Sequence, residues 1–243
     1  MATYVTLINQ LLRRLNEVTL DAAGDGFDTV RNVQALAKDA INNSIRNILQ
    51  TGQEWPFLKT TYTQTITAGT RQYSFPADFA SVDWDTFYIK ELGAATNTPS
   101  YLPTISFEEY TQRYRGLDDQ ADSGSGISAP QRIYQTYESK FGVTPVPDNS
   151  YEIEYVYWSF PADLTFYDDV AVIPDRFNHV VVDGAMMYMM RFRSNDQSAA
   201  LHQQSLQEGI RSMRRILMDD PLDIRSTVIQ RNKSFSNTMS TIV

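Results

Sequence analysis

His179 and His202 are the only two histidines of the sequence, and histidine is the side chain whose unperturbed charge changes near neutral pH. They fall in different predicted helices. Neither has the His-x-x-x-His or Glu-x-x-His spacing that sets two metal ligands on one helical face, so each reads as a core or surface histidine. The chain has no cysteine, which excludes thiolate chemistry and disulfides and fits assembly in a reducing cytoplasm. Its carboxylates include three adjacent pairs, Asp118-Asp119, Asp168-Asp169 and Asp219-Asp220. Such pairs hold a divalent ion only when a fold brings them together, and adjacent acids in loops are ordinarily solvated. Asp21, Asp25 and Asp28 lack the alternating spacing and closing Glu of a calcium loop. Gly124-Ser-Gly126 is followed by no Lys-Ser/Thr, and there is no Gly-x-Ser-x-Gly elbow or dinucleotide fingerprint. Met186, Met187, Met189 and Met190 read as core packing. The residues therefore predict no enzyme, no metal and no cofactor.

Charge gives the next constraint. The net charge of −8 argues against a simple nucleic-acid binder, which ordinarily carries a basic face. From Asp148 to Asp175 there are seven acids and no Lys or Arg. From Ile224 to the end there are three bases, Arg225, Arg231 and Lys233, and no acid, so this stretch is +3 against −11 for the remainder. A basic end on an acidic body suggests that the end has a partner of its own. The 243 residues suffice for one large domain or a domain with a sizeable insertion. No run of 18 apolar residues predicts a membrane span, and Met1-Ala2-Thr3-Tyr4 has the marks of no secretory signal.

The elements that would position these residues begin and end with helices. Thr3 to Val18 is apolar at Val5, Ile8, Leu11, Leu12, Leu15 and Val18, an amphipathic helical spacing. Asp28 is placed to cap a second helix over about 29–51, with Gly52 at its C-terminal end. Ile173 to Met218 predicts two more. The first, Pro174 to Arg193, is apolar nearly all round and therefore buried. The second, from an Asp196 cap to Pro221, shows Leu206, Ile210, Met213 and Leu217 on one face and Gln203, Gln204, Gln207, Arg211, Arg214 and Arg215 elsewhere.

Between these pairs the period changes from 3.6 to 2, beginning at Trp55-Pro56-Phe57, which reads as an apolar plug between helix and sheet. Tyr62–Thr67 and Arg71–Phe75 predict a hairpin around Ala68-Gly69-Thr70. Ala80–Leu92 predicts one or two strands. Ser106-Phe-Glu-Glu109 is a capping box for a short helix to about Arg115. Gly116–Pro130 has the composition of a flexible acidic loop, and Phe141–Asn149 that of a Pro-rich turn. Gln131–Glu138 reads as a strand. Tyr151–Trp158 alternates as a strand with Tyr151, Ile153, Tyr155 and Tyr157 on one face. The predicted fold is α+β. N- and C-terminal helical pairs (1–54 and 173–221) form a four-helix bundle with an inserted antiparallel β domain (55–172). An extended C-terminal tail (222–243) follows.

Gly52-x-x-Trp55-Pro-Phe57, Tyr73-x-Phe75-Pro76-x-Asp78-Phe79 and Ile173-Pro174-Asp175-x-Phe177, in that order around a β insertion, resemble the head-to-tail adaptors of tailed bacteriophages. That group includes the tail tubular protein A of short-tailed phages. The resemblance covers roughly residues 1–225, although the β insertion is longer here than in compact members. It implies a non-enzymatic virion protein: a twelve-copy ring under the portal protein, holding the tail nozzle below and passing double-stranded DNA without specific binding. It also implies a C-terminus that reaches the portal. The tail's own composition points the same way: Ile224, Val228, Ile229 and Phe235 are expected to anchor it on a portal subunit, and Arg225, Arg231 and Lys233 to meet acidic groups. Acidic residues Asp118, Asp119, Asp122, Asp168 and Asp169 are candidates to face the channel or the nozzle, because like charge gives phosphates nothing to bind. The alternative is a β-rich module that holds a carbohydrate or peptide on its aromatic residues.

Overall fold

The computed structural model describes residues 2–21, 27, 30–51, 54–92, 98–120, 126–137 and 139–218. Helix α1 (Tyr4–Arg14) buries Tyr4, Val5, Leu7, Ile8, Leu11 and Leu12. It stops four residues short of the expected Val18 because Asn16 takes a φ of 56°, outside the right-handed helical region. Val18 is left 77% exposed. The side chain of Asn9 then holds the departing chain, accepting from the Leu20 N–H at 2.7 Å and donating to the Leu20 carbonyl at 2.9 Å. Helix α2 (Val33–Leu49) starts later than expected, for the same kind of reason: Asn32 also sits at φ 56°. Asp28 and Gly52, expected as its caps, lie outside the described residues.

Trp55 is fully buried among the helices, and its indole N–H donates to the Ile48 carbonyl at 3.2 Å. Beyond it come β1 (Lys59–Ile66), β2 (Gln72–Ser74), β3 (Phe79–Val82), β4 (Tyr88–Glu91), β5 (Ser100–Tyr101) and β6 (Thr104–Ile105). A helical stretch follows, from α3 (Phe107–Glu109) through a π segment (Tyr110–Tyr114) to α4 (Arg115–Asp118). Then come β7 (Arg132–Gln135), β8 (Lys140–Thr144) and β9 (Tyr151–Ser159). The strands form two sheets, β1-β9-β4-β5 with β3 also on β9, and β2-β8-β7-β6.

Four expectations need correction here. First, β1 and β2 are not a hairpin. All eight residues of β1 pair with β9, while β2 pairs with β8 in the other sheet. The turn between them binds elsewhere: the Gly69 N–H donates to the Pro147 carbonyl at 2.9 Å. Second, the expected Pro-rich turn begins with a strand. Phe141 and Val143 of β8 are fully buried, and the prolines come only after it. Third, the helix capped by Ser106, whose hydroxyl accepts from the Glu109 N–H at 3.1 Å, runs on to Asp118 into the stretch expected as a loop. The sheets are not wholly antiparallel either, since β6 and β7 run parallel.

The C-terminal part returns to helix. After a 3₁₀ turn (Asp175–Phe177), α5 (Asn178–Phe192) buries Val180, Val181, Val182, Ala185, Met186, Met187 and Met189. It lies among the other helices: Ser44 of α2 donates to the Val181 carbonyl at 2.8 Å, and Arg14 of α1 pairs with Asp183. Helix α6 (Asp196–Leu217) packs on α5 through Leu206, Ile210 and Met213. Its cap is Asn195, one residue before the expected Asp196, accepting from the Ser198 N–H at 3.1 Å. Gly209 makes this approach close, because a Cβ there would lie 2.7 Å from Val180 Cγ2. Two cores result: an aliphatic one among the helices and an aromatic one between the sheets.

Candidate interaction surfaces

The seven tail residues expected to meet a portal lie outside the described residues, as do Asp122, Asp219 and Asp220. The remaining candidate acids fall in two separate places. Asp118 ends α4 and is buried, 1% exposed, so it is neither solvated nor able to face a channel. The helical continuation past Arg115 folds it inward against β8, where it accepts from the Thr144 hydroxyl at 3.2 Å. Arg71 donates to the Asp118 carbonyl at 2.6 Å and to the Asp119 carboxylate at 2.7 Å. Burial pushes the Asp118 carboxyl above the usual carboxylate range, opposed by hydrogen bonds from Thr144 and Tyr110 and by the charge of Arg71. Asp119 remains at the surface but is partly neutralised by Arg71.

Asp168 and Asp169 belong instead to the helical layer. Asp169 works on its own turn: its carboxylate accepts from the N–H groups of Thr165 at 2.6 Å and Phe166 at 2.8 Å, and from the Thr165 hydroxyl at 3.2 Å. Those bonds hold its carboxyl below the ordinary range. The Asp169 and Tyr167 carbonyls accept from the Tyr4 and Val5 N–H groups at 2.7 and 3.1 Å, satisfying donors that the first turn of α1 leaves unpaired. Asp168 alone of the pair is exposed without a side-chain partner among the described residues. The two acid pairs therefore do not converge, and no group of three or more His, Asp or Glu side chains among the described residues is placed to hold a metal. His179 is exposed and His202 half-buried, on different helices.

The open end between the sheets forms a cleft of about 680 Å³ lined by Phe75, Phe79, Trp84, Phe107 and Tyr137. It is the natural place for the ligand of a carbohydrate- or peptide-binding module. Several of its rings pack on one another. Phe75 stacks on Phe79 at 4.1 Å, and the edge of Trp84 meets Phe75 at 6.1 Å. Tyr137, 86% exposed and meeting Phe107 edge-on at 5.0 Å, still shows a ring to solvent.

Residues 2–230 match the family model described as SU10 adaptor protein. The chain belongs to that family. It is a head-to-tail adaptor of a tailed phage. No curated protein matches it. No helix among the adaptor's described residues is long and apolar enough to cross a membrane. Two features of the adaptor's surface escape sequence reading. One is the rigid display of Phe166 by the Asp169 turn, which alternation and helical period do not encode. The other is that Arg211, Arg214 and Arg215 form no ion pair among the described residues. Their spacing on a helix is visible in the sequence, but that lack of pairing is not.

Proposed function

We propose that this adaptor is a non-catalytic ring subunit of the virion neck, twelve copies joining the portal to the tail nozzle around the DNA channel. The observation that carries the reading is the family match across 229 of 243 residues. In this reading the helical segments 1–54 and 173–221 form the four-helix body and residues 55–172 the domain that reaches the tail side. The tail from 222 to 243 reaches the portal. Ile224, Val228, Ile229 and Phe235 anchor it through apolar contact, and Arg225, Arg231 and Lys233 meet acidic groups. Its affinity grows in a ring, where many tails engage together. Asp119 and Asp122 contribute to an acidic surface past which DNA slides without releasing counterions. Assembly takes place in the host cytoplasm, where the absence of cysteine is no handicap.

The experiment removes everything after Asp223 and measures docking on purified portal by sedimentation and electron microscopy. The full chain is expected to form rings on the portal, and the truncated chain to fold yet lose most of its affinity. Full affinity without the tail overturns the tail assignment. A full chain that leaves the portal bare overturns the adaptor ring itself.

A further inference from the structure

Two surface patches on the helical layer have no partner among the described residues. The first is the outer ridge of α6. Opposite the Leu206–Ile210–Met213 stripe lie Leu201, Gln204, Glu208, Arg211 and Arg215, with Ile216 on the flank. Leu201 is 63% and Ile216 53% exposed. The ion pairs of the chain engage Arg14, Arg46, Arg71, Arg113, Arg115 and Arg193. Arg211, Arg214 and Arg215 take part in none among the described residues. Basic residues favour a helix C-terminus through the backbone dipole. That effect does not explain apolar side chains held in water beside them.

The second patch is the Thr165–Val170 turn. Asp169 locks it from within, and α1 locks it from below. It holds Phe166 63% exposed, beside exposed Tyr167 and Val170 and the free carboxylate of Asp168. A large ring on a pre-ordered turn is the arrangement that makes a strong contact point, because little entropy remains to be lost on binding.

The patches lie on different elements. The chain leading into the turn is fastened to α2 by Asn42, which bonds Leu164 at 3.0 and 3.2 Å, and by Arg46, which pairs with Asp163. Asn42 and Arg46 lie two residues either side of Ser44, so they point about 160° away from it on the helix. Ser44 faces α5, and α6 packs on α5. The turn is thus on the side of α2 away from Ser44, and the arginine ridge on the side of α6 away from its buried stripe.

We propose that these patches bind each other between neighbouring copies. Phe166 and Tyr167 of one copy pack on Ile216 over the small Ser212 of the next, and Asp168 pairs with Arg211 or Arg215. Two different patches on one body make a head-to-tail contact, which on repetition closes into a ring or runs on as a filament. The inference rests on the ring reading above and supplies its subunit interface.

The test uses the full chain, with self-association followed by sedimentation velocity over a concentration series, alone and on purified portal. One variant carries Arg211→Glu with Arg215→Glu, and the other carries Asp168→Arg. Each alone is expected to raise the half-assembly concentration by about tenfold or more, because like charges then face each other. An equal mixture of the two is expected to assemble again. In an alternating array every contact is between opposite charges, whichever copy supplies the turn. Rings that form unchanged in either variant, or variants that are not rescued by mixing, overturn the interface and leave the ring reading standing. Unchanged rings with altered DNA passage overturn it too, assigning the arginines to phosphates. Wild-type protein that never self-associates, even on the portal, overturns both.

Discussion

The helical layer and the β layer of this adaptor fill their interiors with different materials. Among the helices the core is mainly aliphatic, with Leu7, Ile8, Leu12, Ile41, Val181 and Met186, and the polar atoms of Ser44, Trp55 and Tyr4 buried there bond the carbonyls of Val181, Ile48 and Lys38. Between the sheets it is Tyr73, Phe87, Phe141, Tyr155 and Tyr157, with Asp118 and Thr144 buried alongside. There the hydroxyl of Tyr155 has no hydrogen-bond partner among the described residues, and burial pushes its pKa above the ordinary phenol value. Aliphatic side chains carry no polar atom to satisfy, so the helical layer reaches close packing without a network. Phenols and a carboxylate must each find a partner or carry a desolvation cost. The helical layer is therefore expected to tolerate pH and fail by cavity formation. The β layer is expected to fail through its polar and steric particulars.

The largest expected effect tests the first half of that contrast. Trp55 lies next to β1 in sequence but is buried in the helical core, stacked on Phe57 at 5.7 Å. Trp55→Ala should cost about 3–5 kcal/mol in urea unfolding, by loss of transfer energy and creation of a cavity. An unchanged midpoint would show that the helical layer does not depend on this plug. The second effect tests the β layer. Gly142 of β8 lies directly under the ring of Tyr134, which is itself stacked on Tyr110 at 3.7 Å. Gly142→Ala drives a methyl into a ring that cannot swing aside. It should cost about 1–3 kcal/mol. If the two layers unfold as separate units, each substitution will lower its own transition, and calorimetry will separate them.

A smaller effect concerns charge. Asp118 has a folded-state pKa raised above its ordinary value by burial. A raised pKa means that the folded state prefers the protonated form. The carboxyl's contribution to stability is therefore full below the unfolded pKa and lost as pH rises through the folded one. Asp118→Asn keeps the acceptor for Thr144 and removes the buried charge. The variant should match or exceed the wild type at pH 7, by less than about 1.5 kcal/mol, and lose that advantage towards pH 4. Urea titrations at the two pH values decide it. A variant that is weaker at pH 7 would mean that the ionised carboxylate is held by Arg71 and Thr144 well enough to stabilise.

The contrast between layers also explains what the sequence discloses. Periodicity exposes Leu7, Ile8, Leu11 and Leu12 as one face, and Tyr151, Ile153, Tyr155 and Tyr157 as another, because those patterns are local. The boundaries fail where single residues depart from the helical region, as Asn16 and Asn32 do at φ 56°. Strand pairing fails for a different reason. Which strand β1 meets is decided across more than eighty residues of chain, and the local turn chemistry around Gly69 is equally consistent with a hairpin. Asp118 escapes because composition classes it with its flexible neighbours, whereas its burial comes from helix continuing past Arg115. Of the candidate partner surfaces, the portal-facing tail lies outside the described residues. The acid pairs separate only once the two layers are seen.

The smallest expected effect on stability is the one that separates folding from assembly. Phe166 is 63% exposed and makes no ring contact among the described residues, while the turn that carries it is held by Asp169 and by backbone bonds to α1. Truncating such a side chain removes almost nothing from either core. Phe166→Ala should therefore leave the unfolding midpoint within about 0.5 kcal/mol of wild type, as for an ordinary surface position. A residue kept in water at no benefit to its own fold must be accounted for elsewhere, and the ridge of α6 on a neighbouring copy accounts for it. The same variant should then weaken self-association several-fold in sedimentation, with Asp168 and its charge intact. If Phe166→Ala unfolds early, the ring belongs to the helical layer's own packing, and the contrast between a self-sufficient core and a displayed contact is lost. If it does neither, Phe166 is an ordinary exposed residue and the interface must rest on the arginines alone.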